Sequence, residues 1–270
     1  MDKKIFNIWL ESIEKEEASV YAKVLTTETN AKQRAMIIKE DGTFIGSIHN
    51  EAIDEQVVTL SKEILNEKNP SSFTKVFPLD DGTELQVFID VYKPQPNVVI
   101  FGAGHDAIPV VDFISKVGFK TILVDQRPGY NTKERFPKAE RIVARSNDYA
   151  EKVTINKNTY VIIMNHHMER DEEALAFALD SPAPYIGVLG PKSRRERIIR
   201  AIEERGRSVS DKDKERIYNP IGLDIGARTP EEIAISITAE LIAFKNGYPG
   251  GFLKDSKYIH RESALRENIT

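Results

Sequence analysis

The sequence predicts an α/β protein in which a smaller N-terminal α+β domain precedes a doubly wound parallel sheet. Three observations carry that expectation. From Asn97 onward, short apolar runs alternate with amphipathic stretches, the pattern of a parallel sheet covered on both faces. The first of those runs ends in a glycine-rich turn that opens a helix. Before Asn97 the chain reads instead as alternating strands with Asp-Gly turns, which mark hairpins because glycine tolerates positive φ.

The elements follow in order. Ile5, Phe6, Ile8, Trp9, Leu10 and Ile13 fall near helical spacing and predict an amphipathic helix over 3–16. Ala18 to Thr27 is rich in β-branched residues and alternates, so it reads as a strand. Ala35–Lys39 and Thr43–Ile48 flank Asp41-Gly42 as a hairpin, and a helix from Glu51 to Asn66 follows. A second pair, Asp81-Gly82, precedes a strand at Leu85–Val91. Residues 1–92 thus form the α+β domain, and Lys93-Pro94-Gln95-Pro96 is a stiff linker, since two prolines favour extended backbone. In the second domain, residues 97–247, strands are expected at Val98–Phe101, Thr121–Asp125, Arg141–Ala144, Tyr160–Asn165 and Tyr185–Leu189, with helices over 106–117, 169–180 and 191–205. Thr229-Pro230-Glu231-Glu232 is a capping box with proline in the first turn, and it starts a helix to about Lys245. Residues 248–270 read as a polar tail.

Composition narrows the function. The 270 residues carry a net charge of −4, which provides no general basic footprint for nucleic acid or an anionic membrane. No run approaches the roughly 20 apolar residues of a membrane span, and the first residues do not read as a secretory signal. There is no cysteine, so disulfides, thiolate metal sites and cysteine nucleophiles are excluded, and a cytoplasmic location is expected.

Gly102-Ala103-Gly104-His105-Asp106-Ala107 is G-x-G-x-x-A directly after a strand. Gly102 suits the tight turn, Gly104 lets a pyrophosphate approach the backbone, and Ala107 permits close helix–strand packing. The next strand ends in Asp125, near the spacing of a ribose-binding carboxylate. An acid there favours NAD over NADP, with Arg127 softening the preference. A tight strand–helix junction that binds nothing is the bland alternative. Asn165-His166-His167 ends a later strand on the same rim as His105, and Lys192 and Arg194 follow Gly190 at the next strand end, as phosphate contacts would. Each of His105, His166 and His167 could equally cap a helix or bond a carbonyl, and no metal site is expected because no carboxylate converges with them. The segment Asn219–Pro230 combines glycines, prolines, Asp224 and Arg228 ahead of a helix. It reads as part of the site, or as a loop ordered by an Asp224–Arg228 ion pair.

Four segments together resemble the xanthine dehydrogenase accessory proteins, the XdhC/CoxI family: IFGAGH at 100–105, VDQRPGY with ERFP over 124–137, SPAPYIGVLGPKSRRER at 181–197 and PIGLDIGARTPEEIAISI at 220–237. The resemblance covers nearly the whole chain. It implies a cytoplasmic maturation factor that binds molybdenum cofactor and assists its sulfuration and insertion into a molybdenum hydroxylase such as xanthine dehydrogenase. On that basis Gly102, Gly104, His105, Asp125, Arg127, Lys192, Arg194, Asp224 and Arg228 line the site for cofactor or a nucleotide-like ligand.

The sequence departs from the family where a thiol is usual. Ala52 stands at the cysteine of the glycine-rich GS segment, here Gly46–Asp54, and Asp81-Gly82-Thr83 replaces a CGG segment. Because a thiolate is the natural soft ligand or sulfur carrier, weak molybdenum cofactor binding by this chain alone is expected. Two other functions stay open: an NAD(P)-dependent oxidoreductase with His166 or His167 as acid–base, and a non-catalytic nucleotide-binding interaction protein. A homodimer is a further option.

Overall fold

The computed structural model describes residues 3–25, 34–67, 70–80 and 82–255. Contacts divide the chain into two compact units, one built on Met1–Pro94 and the other on Gln95–Phe244; Lys245–Gly247 groups with the first and Tyr248–Gly250 with the second.

The first unit is a five-stranded antiparallel sheet with a helix on each face. Helix α1 (Lys3–Glu14) precedes β1 (Ser19–Val24), β2 (Ala35–Lys39) and β3 (Phe44–Gly46); α2 (Glu51–Asn66) precedes β4 (Phe73–Pro78) and β5 (Glu84–Tyr92). The strand order is β3-β2-β1-β5-β4. Alternation along β1 and β2 sends Val20, Ala22, Met36 and Ile38 to the α2 face, where Ile53, Val57 and Leu65 cover them. Tyr21 and Ile37 point the other way, against Ile5 and Trp9 of α1. Both Asp-Gly glycines have positive φ, +85° at Gly42 and +80° at Gly82. Asp81 itself, and the end of the strand expected to reach Thr27, lie outside the described residues. Strand β4 lies outside the elements expected from the sequence: it is an edge strand whose Thr74, Lys75 and Val76 give no buried apolar run, and pairing with β5 and the buried Phe77 hold it.

The second unit is a six-stranded, wholly parallel sheet. Its elements are β6 (Asn97–Phe101), α3 (Ala107–Lys116), β7 (Lys120–Val124), β8 (Glu140–Ile142), α4 (Tyr149–Lys152), β9 (Thr159–Ile163), α5 (Met168–Leu179), β10 (Tyr185–Val188), α6 (Lys192–Glu204), α7 (Asp211–Glu215), β11 (Ile217–Tyr218) and α8 (Pro230–Asn246). The order β11-β10-β9-β6-β7-β8 runs outward in both directions from β6, the Rossmann arrangement. Val99, Phe101, Val161 and Ile163 pack on one face with Leu175 of α5 and Ile198 of α6. Val98, Ile100 and Ile162 pack on the other with Val110 and Ile114 of α3 and Ile237 and Leu241 of α8. Strand β8 stops at Ile142, short of the expected Ala144. Helix α7, DKDKE, has no apolar residue to produce a period; its Ser210–Asp213 capping box starts it instead. Of the tail, residues 256–270 lie outside the described residues. No helix among the described residues is long and apolar enough to cross a membrane.

The capping box of α8 forms as its sequence suggests: the Glu232 N–H donates to Thr229 Oγ1 at 3.2 Å, and the Thr229 N–H donates to Glu232 at 3.0 Å. Thr229→Ala should therefore lower the urea unfolding free energy by about 1 kcal/mol, while Thr229→Asp should retain most of it.

Candidate functional site

The ligand crevice of such a sheet lies outside the strand ends where the winding reverses, here between β6 and β9. The glycine loop crosses that point, and its two glycines do different work. Gly102 has φ +115°, and a Cβ there would lie 2.6 Å from the Met164 carbonyl oxygen and 2.9 Å from Asn165 Cα. The fold itself requires this glycine, because the loops after β6 and β9 pass back to back. Gly104 is different: a Cβ would meet only His166 Cδ2, at 3.7 Å, an ordinary contact. Nothing in the protein demands a glycine there, so its lack of a side chain leaves room for an incoming group. Ala107, fully buried, lets α3 close onto the sheet.

Asp125 follows β7 and is buried, with its side chain 1% exposed. One carboxylate oxygen accepts from the Ala103 N–H at 2.8 Å and Arg127 Nη2 at 2.7 Å; the other accepts from the Arg127 N–H at 2.8 Å and Nε at 2.9 Å. Burial pushes this carboxyl up, but the Arg127 and Ala103 donors outweigh it and hold it below its usual 3.8. Asp125 thus anchors the glycine loop to β7, and Arg127 occupies the approach to it. The Arg127 guanidinium stacks 4.1 Å from the Tyr130 ring.

Arg135, within the ERFP segment, received no site role from the sequence. It donates to the Gly104 carbonyl at 3.2 Å and to the Tyr130 carbonyl at 2.7 Å, placing its charge on the glycine loop. No spacing rule signals such a contact, because Arg135 reaches the loop from an irregular segment. Asn131 holds that segment in place by donating to the Leu123 and Ile142 carbonyls, bridging the ends of β7 and β8. The Gln126 amide, with its oxygen toward α5, accepts from Arg170 Nη2 and Nε at 2.8 and 3.0 Å.

On the β9 side, His166 adopts φ +57° and sets Nε2 3.2 Å from Asp106 at the start of α3. His105 and His167 are exposed; the His167 carbonyl accepts the Asp171 N–H at the start of α5. Arg194 is not a free phosphate contact. Its Nε and Nη2 both donate to Asp171, a buried carboxylate that also accepts from the Asn165 backbone and side chain. That ion pair ties α6 to the loop after β9. Lys192, in the first turn of α6, is exposed.

The segment from Asn219 to Pro230 is fastened to the sheet at its first half. Asn219 Nδ2 donates to the Val188 and Gly190 carbonyls at 2.9 and 2.8 Å, and its peptide with Pro220 is cis. The Gly222 N–H donates to Glu240, and Ser236 Oγ donates to the Leu223 carbonyl at 2.6 Å. Burial pushes the Glu240 carboxyl up, against the pull of the Gly222 N–H. Asp224 and Arg228 stand exposed beyond these anchors, and no ion pair joins them. Among the described residues, no group of three or more His, Asp or Glu side chains converges as a metal site would need.

Residues 98–241, more than half of the chain, match the family described as the XdhC Rossmann domain. The chain belongs to the XdhC family. It is 28% identical over 228 residues to the Escherichia coli (strain K12) protein YqeB, an alignment covering 81% of this chain and 41% of YqeB. It is 32% identical over 157 residues to a probable xanthine dehydrogenase subunit from Bacillus subtilis (strain 168), covering 58% of this chain and 45% of that protein. The chain therefore spans less than half the length of these curated relatives. Among solved structures, one described as a xanthine dehydrogenase from Bacillus halodurans superposes with a TM-score of 0.67 at 30% identity, over 91% of this chain and 66% of its own.

Two expectations follow from the glycine loop and its anchor. Gly102→Ala should destabilise the fold by more than about 1 kcal/mol, whereas Gly104→Ala should stay within about 0.5 kcal/mol in the same urea titration. Removing the charge in Asp125→Asn, which leaves Arg127 without its partner, should cost about 3 kcal/mol near neutral pH. Folding lowers the Asp125 pKa, so its contribution is complete above 3.8 and fades as pH falls below that value. Thermal melts across pH should accordingly show the gap between wild type and Asp125→Asn narrowing in acid.

Proposed function

We propose that this protein is an accessory factor for a xanthine dehydrogenase-type molybdenum hydroxylase, with a Rossmann half that holds a nucleotide or the phosphate-bearing part of molybdenum cofactor. Family membership supports the accessory role. The observation that carries the ligand assignment is Gly104: it is a glycine the protein's own packing does not need, at the start of a helix and under the positive charge of Arg135. N–H groups of the turn that leads into α3, ahead of the bonded Ile108 N–H and of Pro109, would face the phosphate, and Arg135 would add a charge-assisted bond.

The donor set fits a phosphate and does not fit a metal–thiolate contact. Ala52 lies exposed in the first turn of α2, in an open groove shared with Glu55, Gln56, Thr59, Lys75 and Phe77. These are oxygen and nitrogen donors and an aromatic ring, with no thiol in the chain to ligate molybdenum or carry sulfur. These 270 residues would accordingly handle the cofactor through its phosphate end only, with any sulfur carried outside them. An oxidoreductase role draws on one observation, the Asp106–His166 pair on the same rim, which is the arrangement of an oriented acid–base imidazole. Purified protein mixed with NADH and candidate acceptors separates the two: the accessory role predicts no change in absorbance at 340 nm, and sustained turnover would favour the oxidoreductase.

Gly104→Val should abolish binding of NAD, mononucleotides and molybdenum cofactor in calorimetry while leaving the melting temperature close to wild type, because the branched side chain fills the phosphate's approach. Equal binding by the folded variant would remove the loop from the site. For the missing thiol, molybdenum cofactor should be lost from the wild-type protein during gel filtration and better retained by Ala52→Cys. Stoichiometric retention by wild type would contradict the thiol argument and move the main contact to the rim of His105 and His166.

A further inference from the structure

The surroundings of Asp125 reverse the preference that its position in the sequence suggests. An acid at the end of the second strand of this sheet ordinarily accepts the ribose hydroxyls of NAD, while an arginine nearby takes the 2′-phosphate of NADP. Here both Asp125 oxygens are already filled by four N–H donors, from Ala103 and from Arg127. A ribose diol could reach the carboxylate only by displacing a guanidinium that is bonded to both of its oxygens. That exchange trades an ion pair in a buried setting for bonds from neutral hydroxyls, which is unfavourable.

The face presented to a ligand is therefore cationic. The Arg127 side chain is 33% exposed, and its Nη1 has no described partner after Nε and Nη2 are used. Arg135 donates only to backbone carbonyls and makes no ion pair with a described carboxylate, so its charge is uncompensated. Both guanidinium groups rest near the Tyr130 ring, at 4.1 and 5.1 Å, and this half-exposed ring holds them at the end of β7.

We propose that the crevice selects a dinucleotide bearing a 2′-phosphate, of the NADP class, over one with a free ribose diol, with Arg127 and Arg135 reading that phosphate and Asp125 serving to position Arg127. The proposal rests on the nucleotide-binding reading of the Rossmann half given above and narrows its ligand.

The test is calorimetric titration of the full chain with NADP, NAD and inorganic phosphate, for wild type, Arg135→Ala and Arg127→Ala. Wild type should bind NADP at least roughly tenfold more tightly than NAD, the worth of one charge-assisted contact, and more tightly than phosphate alone. Arg135→Ala keeps the Asp125–Arg127 pair and should weaken NADP more than it weakens NAD, narrowing the preference. Arg127→Ala uncovers Asp125 and should shift the preference toward NAD; if that variant fails to fold, Arg135→Ala decides alone. Equal or tighter NAD binding by wild type, or an NADP preference undiminished in Arg135→Ala, would overturn the proposal while leaving the nucleotide site intact. Binding of neither dinucleotide would overturn both the proposal and the nucleotide site.

Discussion

Asp125 lies at the end of β7 with its oxygens shared between the Ala103 N–H of the glycine loop and three donors of Arg127, and the geometry of the crevice follows from that sharing. A buried carboxylate is costly unless its lone pairs are filled, and here the donors come from the two segments that must be held together. The loop is fixed to β7, Arg127 is fixed over Tyr130, and the charge that remains outward is positive. A second buried carboxylate, Asp171, does comparable work on the opposite side, joining Arg194 of α6 to the loop after β9.

These two pairs sort the charges of the rim. Arg127 and Arg194 are matched by carboxylates, and His166 sits beside Asp106. Arg135, Arg170 and Lys192 make no ion pair with a described carboxylate and supply the net attraction for an anion. The rim thus combines a preorganised frame with a small number of available cations. The two glycines complete the division: Gly102 serves the close passage of two loops, and Gly104 leaves room for a ligand.

Much of this was legible in the residues. Short continuous apolar runs located β6, β7, β9 and β10, and amphipathic stretches the helices between them, because buried strands and amphipathic helices advertise themselves by hydrophobicity. Elements with little apolar pattern stayed hidden: β4, an edge strand whose one buried side chain is Phe77, and α7, started by its capping box. The glycine loop and Asp125 were readable because their spacing reflects backbone geometry. Their partners were not, since the sequence does not reveal that Arg127 folds back onto Asp125 or that Arg194 is held by Asp171. Nor could spacing distinguish an Asp224–Arg228 ion pair from the exposed, unlinked side chains observed. Arg135 reaches the loop across a sequence separation that no local rule covers.

Family membership places the chain among XdhC proteins, and the matched family model covers the Rossmann half, residues 98–241. The central claim is that Asp125 clamps the glycine loop before any ligand arrives. Amide hydrogen exchange over residues 97–108, compared between wild type and Asp125→Asn without ligand, tests it most directly. The account predicts that the Ala103 amide is strongly protected in wild type and exchanges much faster in the variant, with the N-terminal sheet unchanged. Equal protection of Ala103 in both proteins would contradict it.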